Sequence, residues 1–357
     1  MGKNEKPYLS VIINSRNDDY QGNAFERMRA AISSFIEQAK RYNLRAELII
    51  VDWNPPQDKP LLKDAISLPK ELGPVKIRFV VVPATIHQKY NSSEMIKIIG
   101  AAALNVGIRR AEGEFIVPTN SDILFSSELI QFLAQEQLGK EFFYRADRCD
   151  VSKEASNCAS LDERMDFCAK NIIRVNQKSD ESPHGLARFP TLHTNAGDFI
   201  LFAKEFWHLL HGWPETNNLG LYAEGVLCYM AYLAGLKEKI LEAPLVIYHI
   251  DHNSRWKTPA NKNKGIYNYL KALVYDRLPP YSRGRTFLNQ TYNFANEIME
   301  PFVRLLVKPE DLEFDLRYLS WQYKKTVVEM LKGKRSYIYN NDNWGFPEEN
   351  FSEFILS

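Results

Sequence analysis

The 357 residues carry 45 Lys and Arg against 44 Asp and Glu, a formal net charge of +1. Hydrophobic residues make up 45% and charged residues 25%, which excludes a disordered or fibrous chain. The near-zero charge also excludes a dedicated nucleic-acid binder, which carries a strongly basic face. At roughly 100–200 residues per domain, one large α/β domain and an appended subdomain fit the length.

In chain order, Leu9 to Ile13 is a short apolar run closed by the polar residues Asn14 to Asp18, the pattern of a buried strand. A helix is predicted from about Ala24 to Tyr42, with Phe25, Met28, Ile32, Phe35 and Ile36 on one stripe. Glu47 to Val51 is the next strand, stopped by Asp52-Trp53-Asn54-Pro55-Pro56. Val75 to Val82 is a third strand, Ile96 to Ala111 a second amphipathic helix, and Glu114 to Val117 a fourth strand entering Pro118-Thr119-Asn120-Ser121-Asp122. The stretch 145–190 is polar and poorly periodic and reads as an inserted excursion or lid. Helices are expected from Phe199 to Leu210 and Leu221 to Gly235, then a strand from Leu245 to Ile250. After about residue 262 the pattern is helical: Ile266 to Tyr275, Gln290 to Leu306 and Leu312 to Lys332. The implied organisation is a domain over 1–260 and a helical subdomain over 261–357.

Alternating strands and helices imply a doubly wound, mostly parallel sheet with helices on both faces and a C-terminal helical extension. Such sheets bind ligands beyond the carboxyl ends of their strands. The polar clusters 14–18, 52–54 and 120–122 all lie there. The polar start, Met1 to Tyr8, lacks the apolar core of a signal peptide, and no stretch approaches the ~18 apolar residues of a membrane span. A cytoplasmic location is therefore the expectation. Cys149, Cys158, Cys168 and Cys228 have neither zinc-site spacing nor a disulfide framework, and are read as reduced thiols.

Asp122 ends a strand, where a carboxylate can hold a hard divalent cation or simply form a turn. Ser10-Val11-Ile12-Ile13-Asn14-Ser15-Arg16-Asn17, the run Ala103 to Ile116, and Asn120-Ser121-Asp122 together resemble the GT-A-type glycosyltransferases, the family 2-like group in particular. The resemblance runs from about Tyr8 to His252. It implies transfer of a sugar from a nucleotide-diphosphate donor to a hydroxyl acceptor, assisted by Mn²⁺ or Mg²⁺. Polysaccharide biosynthesis is the implied setting. The nucleotide would meet Asn14, Arg16, Asp52, Asn105 and Ser121. Asn120-Ser121-Asp122 falls at the family's Asp-x-Asp motif with Asn in place of the first acid, so Asp122 is the implied metal ligand.

Asn195-Ala196-Gly197-Asp198-Phe199 and His211-Gly212-Trp213-Pro214-Glu215 look like the family's acceptor-side segment, implying that Asn195, Gly197, Asp198, Trp213 and Glu215 face acceptor or sugar. Glu224 stands eleven residues before Gly235, the spacing of the family's catalytic base, and a base there gives inversion at the anomeric carbon. His249 is the second implied metal ligand. On a strand it shares a face with Asp251, with His252 opposite or already in a loop. Trp213, Tyr222 and Trp256 are stacking candidates whose other explanation is core packing.

Residues 254–285 hold eight Lys or Arg and one acid, Asp276. They read as a solvated basic face or, more sharply, as peripheral contact with anionic lipid or a lipid-linked acceptor; a glycan is the other acceptor class. A sugar-nucleotide pyrophosphorylase is excluded, because Asn14 to Asp18 contains no glycine for its phosphate loop. The rival reading is a non-catalytic sugar-nucleotide binder or scaffold, kept open by Asn120.

Overall fold

The computed structural model describes residues 6–18, 22–90, 100–178, 190–215, 222–252 and 316–356. The first half forms β1 (Leu9–Ser15), α1 (Ala24–Tyr42), β2 (Ala46–Trp53), α2 (Leu62–Ala65), β3 (Val75–Val82), α3 (Ala84–Tyr90) and α4 (Gly100–Arg110). Next come β4 (Phe115–Asn120), β5 (Ile123–Phe125), α5 (Ser127–Leu133), β6 (Phe142–Ala146) and β7 (Arg148–Val151). They are followed by α6 (Leu161–Lys170), β8 (Ile172–Asn176), β9 (Ile200–Ala203), α7 (Lys204–Leu209), α8 (Ala223–Leu233), β10 (Lys237–Leu241) and β11 (Ile247–Ile250). The described C-terminal elements are α9 (Leu316–Leu331) and β12 (Ser352–Leu356).

The main sheet has the order β10-β6-β9-β4-β1-β2-β3-β12. Its centre, β4-β1-β2-β3, is parallel, and β9 and β12 pair antiparallel to β4 and β3. The order reverses at β1, so the crevice between β1 and β4 is the topological switch point. Register places Asn14 beside Asn120 and Ser15 beside Asp52, bringing the three polar strand ends to one rim.

Period-two alternation explains the two cores. Ile12, Ile49, Val51 and Val80 point to one face, where α4, α8 and α9 pack. Val11, Ile13, Leu48, Ile50 and Phe79 point to the other, covered by α1 and α5. Gly107 permits the close seat of α4: a Cβ there would lie 2.3 Å from Ile12 Cγ2. A second sheet, β5-β11-β7-β8, stands beside the rim.

Three expectations are corrected. Residues 199–210 are not one helix, because Ile200–Ala203 inserts as a strand between β4 and β6 before α7 begins. A run of apolar residues that short has no periodicity of its own. The described part of 145–190 is not a lid: β7 and β8 build the second sheet, and Arg164 of α6 ties it together through the Ala155 and Cys158 carbonyls at 3.0 and 2.8 Å.

Nor do residues 316–356 form a separate helical subdomain. Tyr323 and Val327 of α9 enter the core against α8, Trp344 and Phe346 enter it from the loop, and β12 extends the main sheet. Glu353 of β12 meets buried Arg78 at 2.9 Å, and Arg78 also pairs with wholly buried Glu47 at 3.0 Å. The helices expected at 266–275 and 290–306 lie outside the described residues. The four cysteines are free and buried, as expected. Among the described residues no helix is long and apolar enough to cross a membrane.

Candidate functional site

Two strand ends and one turn bring a ligand cluster together. Asp122 occupies the turn between β4 and β5, and its carbonyl accepts from Ile250 N at 3.2 Å. Antiparallel β5·β11 register sets His249 opposite Ile123, and parallel β11·β7 register sets it opposite Asp150. The chain leaves the strand after Ile250, so His252 turns back. Its Nε2 lies 3.3 Å from Asp122 Oδ2 and 3.2 Å from His249 Nε2; His249 Nε2 lies 3.9 Å from the same carboxylate oxygen. Of the two placements expected for His252, the structure shows the one in the loop. Strand alternation stops applying where the strand stops.

Asp122, His249 and His252 can each direct one donor atom to a common point, all within 4.8 Å of one another. Ligands about 2.0–2.2 Å from a cation, at angles of roughly 90–110°, stand about 3.0–3.5 Å apart. Two of the three separations fall in that range and the third is slightly wider, so the donor set fits a divalent cation. His249 Nδ1 meets Asp150 Oδ1 at 3.1 Å, which puts the proton on Nδ1 and leaves Nε2 as the ligand lone pair. Burial opposes charge on this imidazole, but the Asp150 hydrogen bond and the Asp122 and Asp198 charges outweigh it and raise its pKa. Burial also opposes charge on Asp150, yet His249, Arg148 and Arg174 hold its carboxyl well below the usual range.

A chain of ion pairs continues from this cluster. Arg148 Nε lies 3.1 Å from Asp150 Oδ1, and its Nη1 lies 2.6 Å from Asp198 Oδ2. The Asn120 amide donates to Asp198. Position 120 therefore carries a neutral donor facing an acid, a role the acid usual in the resemblance would reverse. Glu224 opens α8 against Gly197, where an added Cβ would come 2.7 Å from Glu224 Cγ. Burial raises Glu224 to about 8; nearby Asp198 pushes the same way, while Arg145 and Arg148 partly offset it. The loop bearing Asp198 is clamped by wholly buried Arg145, whose guanidinium donates to the carbonyls of His193, Asn195, Ala196 and Phe199.

At the other side of the crevice, Asp52 is wholly buried at the end of β2. One oxygen accepts from Leu62 N at 2.8 Å, while buried Oδ1 has no hydrogen-bond partner. Burial raises this carboxyl to about 6 against the pull of the Leu62 N–H and Arg16. Arg16 is fixed by the Asn54 carbonyl and by Asp18 at 2.7 Å, and Asn14 donates to the Gly100 carbonyl at 3.0 Å. Ser121 sits half-buried in the turn beside Asp122.

Other expected site residues are held elsewhere. Asn105 is wholly buried on α4, where its amide clamps Trp213 N and O at 2.7 and 2.8 Å and Glu215 Oε1 at 2.8 Å. Glu215 also accepts from Gly345 N at 2.9 Å, so it anchors the C-terminal loop. Trp213 stacks on Trp207 in the core, 6.3 Å between ring centroids, and Tyr222 stacks on Tyr323 at 5.4 Å. Asn195 donates to the Gln177 carbonyl at 2.8 Å. Trp256 and the basic stretch 254–285 lie outside the described residues.

The sequence reading missed Arg27, Arg145, Arg148, Asp150 and Arg174. The one available signal was Arg148-Cys149-Asp150-Val151, where charges alternating with apolar residues fit a short strand with one polar face.

No family model matches the chain, and no curated protein sequence matches it. Among solved structures the chain is similar to S. aureus TarS 1-349, with a TM-score of 0.42 at 14% identity and 92% of each chain covered. The same protein in complex with UDP-GlcNAc gives 0.43 at 13% identity over 92% of each chain. Its complex with UDP gives 0.41 at 13% identity, covering 96% of this chain and 98% of that one.

Proposed function

We propose that this chain is a glycosyltransferase that binds a nucleotide-diphosphate sugar across the β1/β4 crevice and transfers the sugar to a hydroxyl acceptor. The observation that carries this reading is the pairing of two features on one rim. A three-donor cluster that could hold a cation stands at the switch point. Glu224, a half-buried carboxylate with a strongly raised pKa, feels the charges of Asp198 and Arg148, which pair on towards Asp150 and the cluster. A fold alone sets no function, so the argument rests on these side chains.

In this reading Arg16 and Asn14 meet the nucleoside at the rim, and Asp52, wholly buried beside them with Oδ1 unpartnered, accepts from an N–H or O–H donor of the nucleoside once that oxygen is uncovered. Mn²⁺ or Mg²⁺ held by Asp122, His249 and His252 would supply Lewis-acid neutralisation of the diphosphate leaving group. Asp150 fixes the His249 tautomer that presents a lone pair to the cluster. Glu224 accepts the proton of the acceptor hydroxyl as it attacks the anomeric carbon from the face opposite the leaving group, giving inversion. A value near 8 leaves only a fraction of Glu224 ionised near neutrality, and that fraction is the form that takes the acceptor proton, so transfer is expected to rise with pH towards 8. The acceptor is a glycan or lipid-linked species.

The scaffold reading retains Asn120 in its favour, but a pure binder has no use for a raised carboxylate at Glu224. A panel of sugar nucleotides incubated with Mn²⁺ and assayed for released nucleoside diphosphate, with water taking the sugar in place of the hydroxyl acceptor, separates the two. The transferase reading predicts release from one donor class by the wild type and none by Glu224→Gln, with donor binding retained. Equal release by both proteins contradicts the base assignment, and binding without release by either favours the scaffold.

A further inference from the structure

The cluster leaves one buried charge unexplained. Arg27 comes from the first turn of α1, is 4% exposed, and places Nε 3.3 Å from Asp122 Oδ2 while donating to the Gly22 carbonyl. The same Asp122 oxygen faces both His252 and His249. A guanidinium stays charged at every usable pH. Sites for divalent cations commonly gather several carboxylates to attract the ion. Here Asp122 supplies the only carboxylate oxygen of the three-donor set.

We propose that Arg27 competes with the divalent cation for Asp122 Oδ2 and so keeps the cation affinity of the free chain low. The proposal rests on the cation reading of Asp122, His249 and His252. Two positive charges on one poorly solvated carboxylate repel each other with little screening by water. An arriving diphosphate relieves that repulsion, because its oxygens accept from a guanidinium and coordinate a cation at once. Cation and diphosphate therefore bind cooperatively, and Arg27 is the positioning residue that couples them.

The test is Mn²⁺ titration of the full chain, followed by electron paramagnetic resonance of the free ion. Arg27→Met and Arg27→Gln are compared with wild type; the Gln variant keeps a donor for the Gly22 carbonyl and serves if the Met variant does not fold. At least tenfold tighter Mn²⁺ binding is expected in both, with the gain abolished by adding Asp122→Ala. Inorganic pyrophosphate, corrected for its own Mn²⁺ complexation, is expected to tighten binding more in wild type than in either variant. Unchanged or weaker Mn²⁺ binding in folded variants, beside measurable wild-type binding, overturns the competition and leaves the cluster standing. Absence of Mn²⁺ binding in every folded protein overturns the cluster as well.

Discussion

Replacing Glu224 by Gln keeps the shape of the protonated acid and removes its capacity to ionise. Burial, aided by Asp198, raises this carboxyl from 4.5 to about 8 in the folded chain. Below pH 4.5 the folded and unfolded states both hold the proton, and the two side chains are equivalent. Between 4.5 and about 8 the unfolded chain has released the proton while the folded chain retains it. Wild-type stability therefore falls as pH rises through this window, and the stabilisation present at low pH is gone above it. At about 1.36 kcal/mol per pH unit the ceiling is roughly 4–5 kcal/mol, and partial solvent access lowers the expected effect to about 1–3 kcal/mol.

Glu224→Gln is thus expected to unfold at higher urea than wild type at pH 8 and at the same urea at pH 4.5. Urea midpoints measured at half-unit intervals between these limits check it. A Gln variant less stable at pH 8, or a difference that does not vary with pH, refutes the account of a carboxylate held against its own ionisation. On the proposed role, a side chain that destabilises the fold while serving transfer is the trade-off expected of an active site.

Asp150→Asn removes the anion behind His249 and is expected to weaken Mn²⁺ binding about 10–100-fold in a direct titration; unchanged affinity would show that Asp150 does not set the His249 tautomer. Asp52→Asn is expected to leave urea stability at pH 7.5 equal or improved, since the carboxyl raised to about 6 is buried at a cost there, while nucleoside diphosphate affinity falls at least tenfold by calorimetry (roughly one lost hydrogen bond to a charged group). Undiminished affinity would remove Asp52 from the nucleoside site. Gly197→Ala drives a methyl to within 2.7 Å of Glu224 Cγ and is expected to lower transfer with nucleotide binding intact; wild-type transfer would show that Glu224 can shift without consequence.

The central strands and α1 were legible because their signals are local. Val75 to Val82 and Ala24 to Tyr42 have the observed limits, one an apolar run and the other a clean helical stripe ended by Asn43 in the left-handed region. The second sheet was not legible. Ile123–Phe125 and Arg148–Val151 are too short to show a period, and their pairing with β11 joins residues about a hundred positions apart. Asp122 and His249 were visible through resemblance, whereas His252 depended on where β11 ends. Asn105 looked functional because it sits in a recognisable helix, yet its amide is committed to Trp213 and Glu215. Its neighbour Gly107 shows why part of that stretch is fixed by packing: the helix can approach β1 only without a side chain there.

The most direct test of a cation-dependent nucleotide site at the β1/β4 rim is thermal unfolding with a panel of nucleoside diphosphates and sugar nucleotides, each with and without Mn²⁺. A ligand that binds only the folded state raises the unfolding temperature in proportion to RT ln(1 + [L]/Kd). The account predicts a shift with one base class that requires Mn²⁺ and disappears in Asp122→Ala. A shift that ignores Mn²⁺ and survives Asp122→Ala, or no shift with any nucleotide, contradicts it.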